Sequence, residues 1–398
     1  MQMTDNAARK RIIIVNNNMK IGGIQKALLD LLNEISSQYD VTLCLFNNVG
    51  EYLKRIPSNV NVIHCNSLYK YFGMGQAESK KSLIDYIFRS SLAIITKIFG
   101  RKVTTRVISF FTKKLPAQYD CAISYMHDGE NRLFYGGWNH FVISKVTAKK
   151  KIAFVHGDYE KCGSNNKGNN EIYEKFDIIA ACSEGCRKAF LRALPHLEAK
   201  TKTVINCHNF EEIVAMSGEE TVIYDNQYTN AIVVSRLNPG KGVDRAIYAA
   251  KYAIDKGLKL KLHIVGGGNS MAQLKALSKE LRVESNVAFY GEQANPYRYI
   301  KNADFLLIPS YHEAAPLVID EALCLGVPVL STATTSSEDM ILNRNCGWVC
   351  DNSQKGINQK MHEIIANQDE IQRIKKAISS HGVPDNSLAI KMLQEIIC

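Results

Sequence analysis

Two glutamates, Glu313 and Glu321, stand with seven residues between them in the stretch from Ala303 to Thr332, ADFLLIPSYHEAAPLVIDEALCLGVPVLST. Carboxylates accept hydrogen bonds from hydroxyl groups, so a pair on either side of a helix start suits a polyhydroxylated, partly anionic ligand. The elements that must position them are legible locally. Asp304 to Pro309 reads as a short buried strand, and Tyr311 to Ala315 as a loop at its carboxyl end. Pro316 suits the first helical position, Leu317 to Leu325 fills one compact helix, and Gly326 suits the residue just past its end. Val327 to Leu330 reads as the next strand. In parallel sheets built from such units, ligands bind where loops leave the strand ends. A ligand there meets Glu313, the backbone N–H groups of Ala314, Ala315 and Leu317, and Glu321 about one turn into the helix. The spacing alone also describes a surface helix with two solvated acids; the strand and loop before it favour the site.

The same residues carry a family resemblance. Glu313, seven residues, Glu321, with Pro316-Leu317-Val318 between and Ala322-Leu323 after, resembles the donor-sugar signature of retaining glycosyltransferases of family 4. The resemblance implies the GT-B fold, two doubly wound Rossmann-like α/β domains facing a central cleft. It also implies transfer of a sugar from a nucleoside-diphosphate donor with retention of configuration. Glu313 would then lie against the transferred sugar and Glu321 would hold the ribose hydroxyls. The family usually has Gly-Phe after its first glutamate, where this chain has Ala314-Ala315. Alanine still presents its N–H, but it narrows close approach and removes an aromatic wall, which bears on the identity of the donor sugar.

A second motif lies upstream. Ala231 to Val234 is a short apolar run, followed by the turn-rich loop Ser235-Arg236-Leu237-Asn238-Pro239-Gly240-Lys241-Gly242 and a helix over Val243 to Tyr252. The family places an arginine and a lysine five apart here to neutralise the donor diphosphate, and Arg236 and Lys241 match. A guanidinium and an ammonium so placed stabilise the charge that develops on a departing diphosphate without a metal ion. No Asp-x-Asp pair is present, so neither a metal nor any cofactor besides the donor substrate is expected. Between the motifs, Leu260 to Val265 reads as a strand ending in Gly266-Gly267-Gly268, followed by a helix over Ser270 to Leu281. The dinucleotide fingerprint would need a glycine at Met271. Gly267 and Gly268 match a glycine-rich turn of the family near the donor phosphate, a supporting role. Asn286 to Gly291 reads as a strand, and Asn295 to Asn302 as a short helix.

The amino-terminal half opens with the same kind of unit. Arg11 to Asn16 is a buried strand, Asn17 to Gly23 a loop, and Ile24 to Ile35 a helix with Ala27, Leu28, Leu31 and Leu32 on one face. Gly22-Gly23 matches the family's first glycine-rich loop, although a glycine pair before a helix also makes an ordinary turn. Val41 to Phe46, Val60 to His64, Cys121 to Met126, Ile152 to His156, Asp177 to Cys182 and Thr203 to Asn206 read as further strands. His156 closes its strand where the family has a histidine near the donor sugar. An imidazole there hydrogen-bonds a sugar hydroxyl or faces the departing phosphate. His127 and Asp128 are candidates for the acceptor side.

At 398 residues and about 150 residues per domain, two or three domains are expected. The boundaries read as 1–210 for the acceptor-side domain, 211–380 for the nucleotide-sugar domain, and 381–398 for a final helix packing back on the first. The polar segment Asn209 to Asn230 reads as the connection. Helical patterning covers Gly356 to Ser380 and Ser387 to Ile397. The formal net charge of +10 is unevenly placed: nine Lys or Arg fall between Lys80 and Lys114, against one acid, Asp85. Large apolar residues interleave with them, a pattern that suits an anionic membrane surface better than ordinary solvated helices. Nucleic acid is not expected, because no recognisable binding module accompanies the charge. No run reaches the ~18 apolar residues of a membrane span, and MQMTDNAARK lacks a signal-peptide core. A cytoplasmic protein on the inner face of the cell membrane is therefore expected. The eleven scattered cysteines lack zinc-like spacing and read as reduced, mostly buried thiols.

The function expected is glycosyl transfer to a glycan or lipid-linked acceptor in envelope or capsular polysaccharide assembly. His156, Arg236, Lys241 and Glu313 would be the catalytic residues. Gly22, Gly23, Gly267, Gly268, Ala314, Ala315, Leu317 and Glu321 would bind the donor. The alternatives are another GT-B enzyme, such as a sugar-nucleotide epimerase or a phosphorylase, and a non-catalytic partner subunit that keeps the fold.

Overall fold

The computed structural model describes residues 9–65, 68–220, 222–380 and 382–397. It divides the chain after Cys207 and again after Asp385, so the segment from Asn386 onward belongs with the first unit.

The first unit is built on seven parallel strands: β1 (Arg11–Asn16), β2 (Asp40–Leu45), β3 (Asn61–His64), β4 (Gln118–Ser124), β5 (Thr147–Val155), β6 (Ile178–Ala181) and β7 (Thr201–Thr203). Their spatial order is β3-β2-β1-β4-β5-β6-β7, which reverses direction between β1 and β4. Ile12 to Val15 are all fully buried, because helices cover both faces of the sheet. One face packs Ile12 and Ile14 against Leu28, Leu32 and Ile35 of the helix Gly23–Ile35. Ala389, Leu393, Ile396 and Ile397 of the final helix Ser387–Ile397 join that cluster. Each buried Leu or Ile contributes about 2 kcal/mol, which holds an eleven-residue helix too short to persist alone. The other face gathers Phe46, Tyr69, Phe72, Trp138 and Phe141.

The second unit carries β8 (Thr229–Val234), β9 (Leu260–Val265), β10 (Val287–Gly291), β11 (Phe305–Ile308), β12 (Val329–Thr332) and β13 (Gly347–Cys350), in the order β10-β9-β8-β11-β12-β13. All pairings are parallel, and here the order reverses between β8 and β11. Phe305 and Leu307 point into one core, and Leu306 and Ile308 into the other.

Several sequence expectations need adjustment. The stretch read as a polar connection contains a helix, Phe210–Ser217, whose first turn is capped by Asn209 Oδ1 accepting the Glu212 N–H. Its few apolar positions span barely two turns, too short for periodicity to register, yet Ile213 is buried in the second unit's core. The pattern over 356–380 is two helices, Gln354–Ala366 and Gln368–Ser380. Asn367 leaves helical geometry between them and caps the second through Glu370 N–H. The strand β13, GWVC, is additional to the strands expected from the sequence.

A polar network crosses the second core. His263 on β9 is stacked on Tyr224 with ring centres 3.8 Å apart. Its Nε2 lies 3.0 Å from Asn230 Oδ1, and its Nδ1 3.0 Å from the Tyr290 hydroxyl. Because Asn230 Nδ2 donates to the Asp225 and Tyr228 carbonyls, its Oδ1 is an acceptor and the proton of His263 belongs on Nε2. Burial, with Lys261 adding to it, lowers the His263 pKa to about 4. The folded state therefore resists protonation while the unfolded chain takes a proton near the ordinary histidine value. Stability from this group is full above about pH 6.5 and declines as pH falls toward 4. The urea midpoint of the second unit should fall between pH 7 and pH 5, and His263→Gln should flatten that dependence while lowering stability at pH 7. Equal pH slopes for the two proteins would refute the assignment.

Candidate functional site

The point at which strand order reverses is where loops from two neighbouring strands diverge, and it opens a crevice at the carboxyl edge of the sheet. In the second unit the loop after β8 carries Arg236 and Lys241, and the loop after β11 carries Glu313. The structure brings them together: Lys241 Nζ donates to Glu313 Oε1 at 2.6 Å, and Ser310 Oγ donates to the same oxygen at 2.7 Å. Both partners are largely shielded, with side-chain exposures of 25% and 12%.

The backbone beneath this pair explains why it forms. Lys241 ends a single turn, Pro239–Lys241, and Gly242 follows with φ +60°. A Cβ on Gly242 would lie 2.3 Å from the Pro309 carbonyl oxygen, so the residue is glycine for both its φ and its surroundings. Tyr311 N–H donates to Gly240 O at 3.1 Å, which ties the two loops directly. Behind them Arg245 is buried, donates to Pro309 O and Asn352 Oδ1, and lies 4.5 Å from the centre of the Tyr311 ring. Thr332 Oγ1 donates to Ser310 O at 2.6 Å and so adds the end of β12.

Glu321 lies in the helix Leu317–Cys324 after the Glu313 loop, and Tyr297 Oη donates to its Oε1 at 3.4 Å. Pro316 is the residue before this helix, with extended backbone, where the sequence suggested the first helical position. The N–H groups of Ala314, Ala315 and Leu317 donate to no backbone carbonyl among the described residues. Asp320, beside Glu321, is clamped between His208 Nε2 at 3.2 Å and Arg344 at 2.6 Å. Burial alone would raise the Asp320 carboxyl, but His208 and Arg344 outweigh it and hold the pKa at about 2. Arg236 is exposed, with no side-chain partner among the described residues.

The glycine turn packs against the loop that carries Arg236. Gly266 and Gly268 have positive φ, and a Cβ on either would run into the carbonyl of Ser235 or Leu237. Leu237 N–H donates to Gly267 O at 2.7 Å, and Ser270 N–H to Leu237 O at 3.0 Å. Gly267 and Gly268 thus lie under the Arg236 loop and hold its path.

The other sequence-derived residues belong to the first unit. His156 follows β5, half-buried against Tyr125 and Phe154, with ring centres 4.7 and 5.5 Å away. Its Nε2 is sealed from solvent and lacks a partner among the described residues. Burial, with neighbouring His127 adding to it, lowers its pKa to about 3, so it is a neutral imidazole at physiological pH. His127 is likewise lowered by burial, and its Nε2 lies 3.8 Å from Cys162 Sγ. Asp128 is buried, accepts the Gly137 N–H and faces Arg101 at 3.9 Å, a structural position. Gly22 precedes the helix Gly23–Ile35 with extended backbone, and a Cβ on Gly23 would meet nothing within 4 Å. That helix start is open, without a side-chain cap. Among the described residues no three His, Cys, Asp or Glu side chains converge as a metal site requires.

Sequence reading missed Arg245, Ser310, Asp320 and Tyr297. The only signal for Arg245 was a cation on the otherwise apolar face of the helix Val243–Asp255. The others carry no mark until the sheet brings their strands together.

Residues 221–381, the span of this site, match the family model of glycosyl transferases group 1. An uncharacterized glycosyltransferase of Methanocaldococcus jannaschii is 30% identical over 168 residues, covering 40% of this chain and 41% of that protein. The chain thus spans less than half the length of this relative. The N-acetylgalactosamine-N,N'-diacetylbacillosaminyl-diphospho-undecaprenol 4-alpha-N-acetylgalactosaminyltransferase of Campylobacter jejuni is 25% identical over 328 residues, covering 78% and 77%. Among solved structures, Anabaena HepE in complex with UDP aligns with a TM-score of 0.67 at 15% identity, over 97% of this chain and 98% of that one. The fold is therefore GT-B, as the sequence resemblance implied.

Gly240 and Gly242, two residues apart in one turn, make a direct contrast. Gly242→Ala should lower stability by about 2 kcal/mol through its φ and the Pro309 clash. Gly240→Ala, whose Cβ would meet only Asn238 Oδ1 at 3.4 Å, should be nearly neutral. Thermal unfolding of both variants checks this, and equal losses would refute the packing argument.

Proposed function

We propose that this chain is a retaining glycosyltransferase of the family 4 type, which moves a sugar from a nucleoside-diphosphate donor to an acceptor hydroxyl in envelope or capsular glycan assembly. The observation that carries this reading is the Lys241–Glu313 pair at the strand-order reversal of the second sheet, beside the open N–H groups of Ala314, Ala315 and Leu317. The pair sets a cation for phosphate next to an acceptor for sugar hydroxyls. Arg236 and Lys241 stabilise the departing diphosphate, Glu313 orients the sugar, and Glu321 takes the ribose hydroxyls. His156, a neutral imidazole with its Nε2 sealed, adds no charge at the carboxyl edge of the first sheet. Support for the donor class comes from the UDP held by HepE, and for a lipid-linked acceptor from the undecaprenol-borne glycan in the name of the Campylobacter relative.

Incubation with radiolabelled sugar nucleotides and membrane lipid extract should place label on lipid. Label confined to free sugar nucleotide or sugar phosphate would mean an epimerase or phosphorylase instead, and no product a non-catalytic subunit. Lys241→Ala should slow transfer by roughly 10²-fold or more, the scale of a lost charge-stabilising donor. Glu321→Ala should weaken nucleotide binding by about tenfold, the scale of a hydrogen bond to a charged group.

An anionic membrane surface is the third partner proposed, on the inner face of the cell membrane. Among the described residues no helix is long and apolar enough to cross a bilayer. The helices Leu83–Phe99 and Arg101–Phe110 instead anchor through Leu92, Ile108 and a Thr96–Thr104 hydroxyl pair. They leave Leu83, Ile84, Ile87, Phe88, Ile94, Ile98, Phe99 and Phe110 exposed, Phe110 to 84%. Lys80, Lys81, Lys97, Arg106, Lys113 and Lys114 are exposed around this apolar face, while the acid Asp85 is tied to Lys70 and Tyr71. A second copy would bring these cations face to face, whereas anionic headgroups complement them. Arg101, counted with the basic stretch, is buried and structural. Reversing charge at Lys97, Lys113 and Lys114 should weaken binding to vesicles containing phosphatidylglycerol about a hundredfold, at ~1 kcal/mol per basic residue. Unchanged co-sedimentation would sink the membrane reading.

A further inference from the structure

Beneath the exposed face of the helix Arg101–Phe110 lies a cavity of about 100 Å³, walled by that helix, by Gly137 and His140, and by the helix Lys167–Tyr173. Its inner wall is the Arg101 guanidinium, which donates to the carbonyls of Gly129, Leu133 and Tyr135 and to Asn169 Oδ1. Two acids line it, and both are engaged: Asp128 by the Gly137 N–H and Arg101, Glu171 by Lys102. Arg106 and Lys175 also line it, and both are exposed without a hydrogen-bond or ion-pair partner among the described residues. The lining therefore carries two uncompensated cations.

We propose that this cavity is a phosphoryl-anion site, in which Arg106 and Lys175 bind the oxygens of a single phosphate mono- or diester. The cavity is open to solvent and admits a phosphoryl group, whose ester substituent can extend out of the mouth. Spare donors of Lys and Arg type are the groups that bind phosphate. The neutral state of His140 agrees with the local field. Its pKa is lowered to about 4, first by burial and then by Lys175, Lys145 and Arg106, against the opposing pull of Asp128. An anion seated beside it would raise that value. The phosphate comes from a lipid headgroup or from free or esterified phosphate in solution, because Arg106 shares its helix with the exposed Val103 and Val107 of the apolar face. This site lies outside the proposed transfer site, and its test needs no turnover.

The full chain is titrated with inorganic phosphate against chloride at constant ionic strength, following the His140 ring resonance, assigned through His140→Gln. Parallel titrations use dihexanoyl phosphatidic acid below its micelle concentration. Saturable binding of either probe, weakened at least tenfold in Arg106→Gln/Lys175→Gln and retained in Lys279→Gln/Lys376→Gln, two exposed lysines of the second unit, supports the site. Saturation by inorganic phosphate identifies free phosphate as sufficient; saturation by the lipid alone identifies the headgroup. A linear, unsaturable response, or equal weakening in both double variants, overturns it. Thermal unfolding shows that the substituted proteins remain folded, which both exposed positions should permit.

Discussion

The second unit turns on one ion pair held between two loops that leave neighbouring parallel strands. A salt bridge as shielded as Lys241–Glu313 adds little to stability, because the cost of removing both charges from water offsets much of their attraction. What it supplies is placement. The peptide N–H of Tyr311 on Gly240, the Arg245 side chain on Pro309 and the close passage of Gly242 under the same carbonyl all bring the two loops together before any ligand arrives. The charges of the pair are thereby oriented in advance, and electrostatic preorganisation is most effective when the dipoles need not move.

The two sheets solve the carboxyl-edge problem with different chemistry. In the second, cations and carboxylates converge at the strand-order reversal. In the first, the carboxyl edge carries His156 and His127, both lowered chiefly by burial, with His127 adding to the effect on His156 and Arg101 to that on His127. A neutral imidazole carries one donor and one acceptor, which suits hydroxyl groups and adds no competing charge for a phosphate.

Much of this was legible from the chain. Strands such as RIIIVN and LKLHIV are continuous apolar runs because both sheet faces are covered, and runs of that kind announce parallel sheets. Glu313, Lys241 and Arg236 could be selected because strand, loop and helix signals flank them. Arg245, Ser310 and Asp320 could not, since their roles exist only once distant segments meet. The helix Phe210–Ser217 was hidden for a related reason: its buried Ile213 gains its partners from strands far along the sequence. In the turn 266–268, local pattern does not say whether a glycine makes room for a ligand or for the protein's own backbone. At Gly266 and Gly268 the distances to Ser235 and Leu237 show the backbone use.

The basic stretch shows how far charge counting goes and where it stops. Nine cations near one another in sequence suggested a single electrostatic surface, but folding sorts them into separate jobs. Arg101 turns inward to satisfy carbonyls and an asparagine, Arg89 donates to Met74 O, and Lys102 is spent on Glu171. Those left exposed fall into the rim of the apolar face and the mouth of the small cavity behind it. The sorting follows from geometry: a helix with Thr104, Thr105 and Ile108 on its buried side can place alternate cations only toward the cavity or toward solvent. An exposed face this apolar is costly in water, and the arrangement is stable only because Leu92, Ile108 and the hydroxyl pair fix the two helices from beneath. The apolar surface is thus presented by a rigid support rather than by a loose segment, which is the condition for a surface to dock without first paying the entropy of ordering.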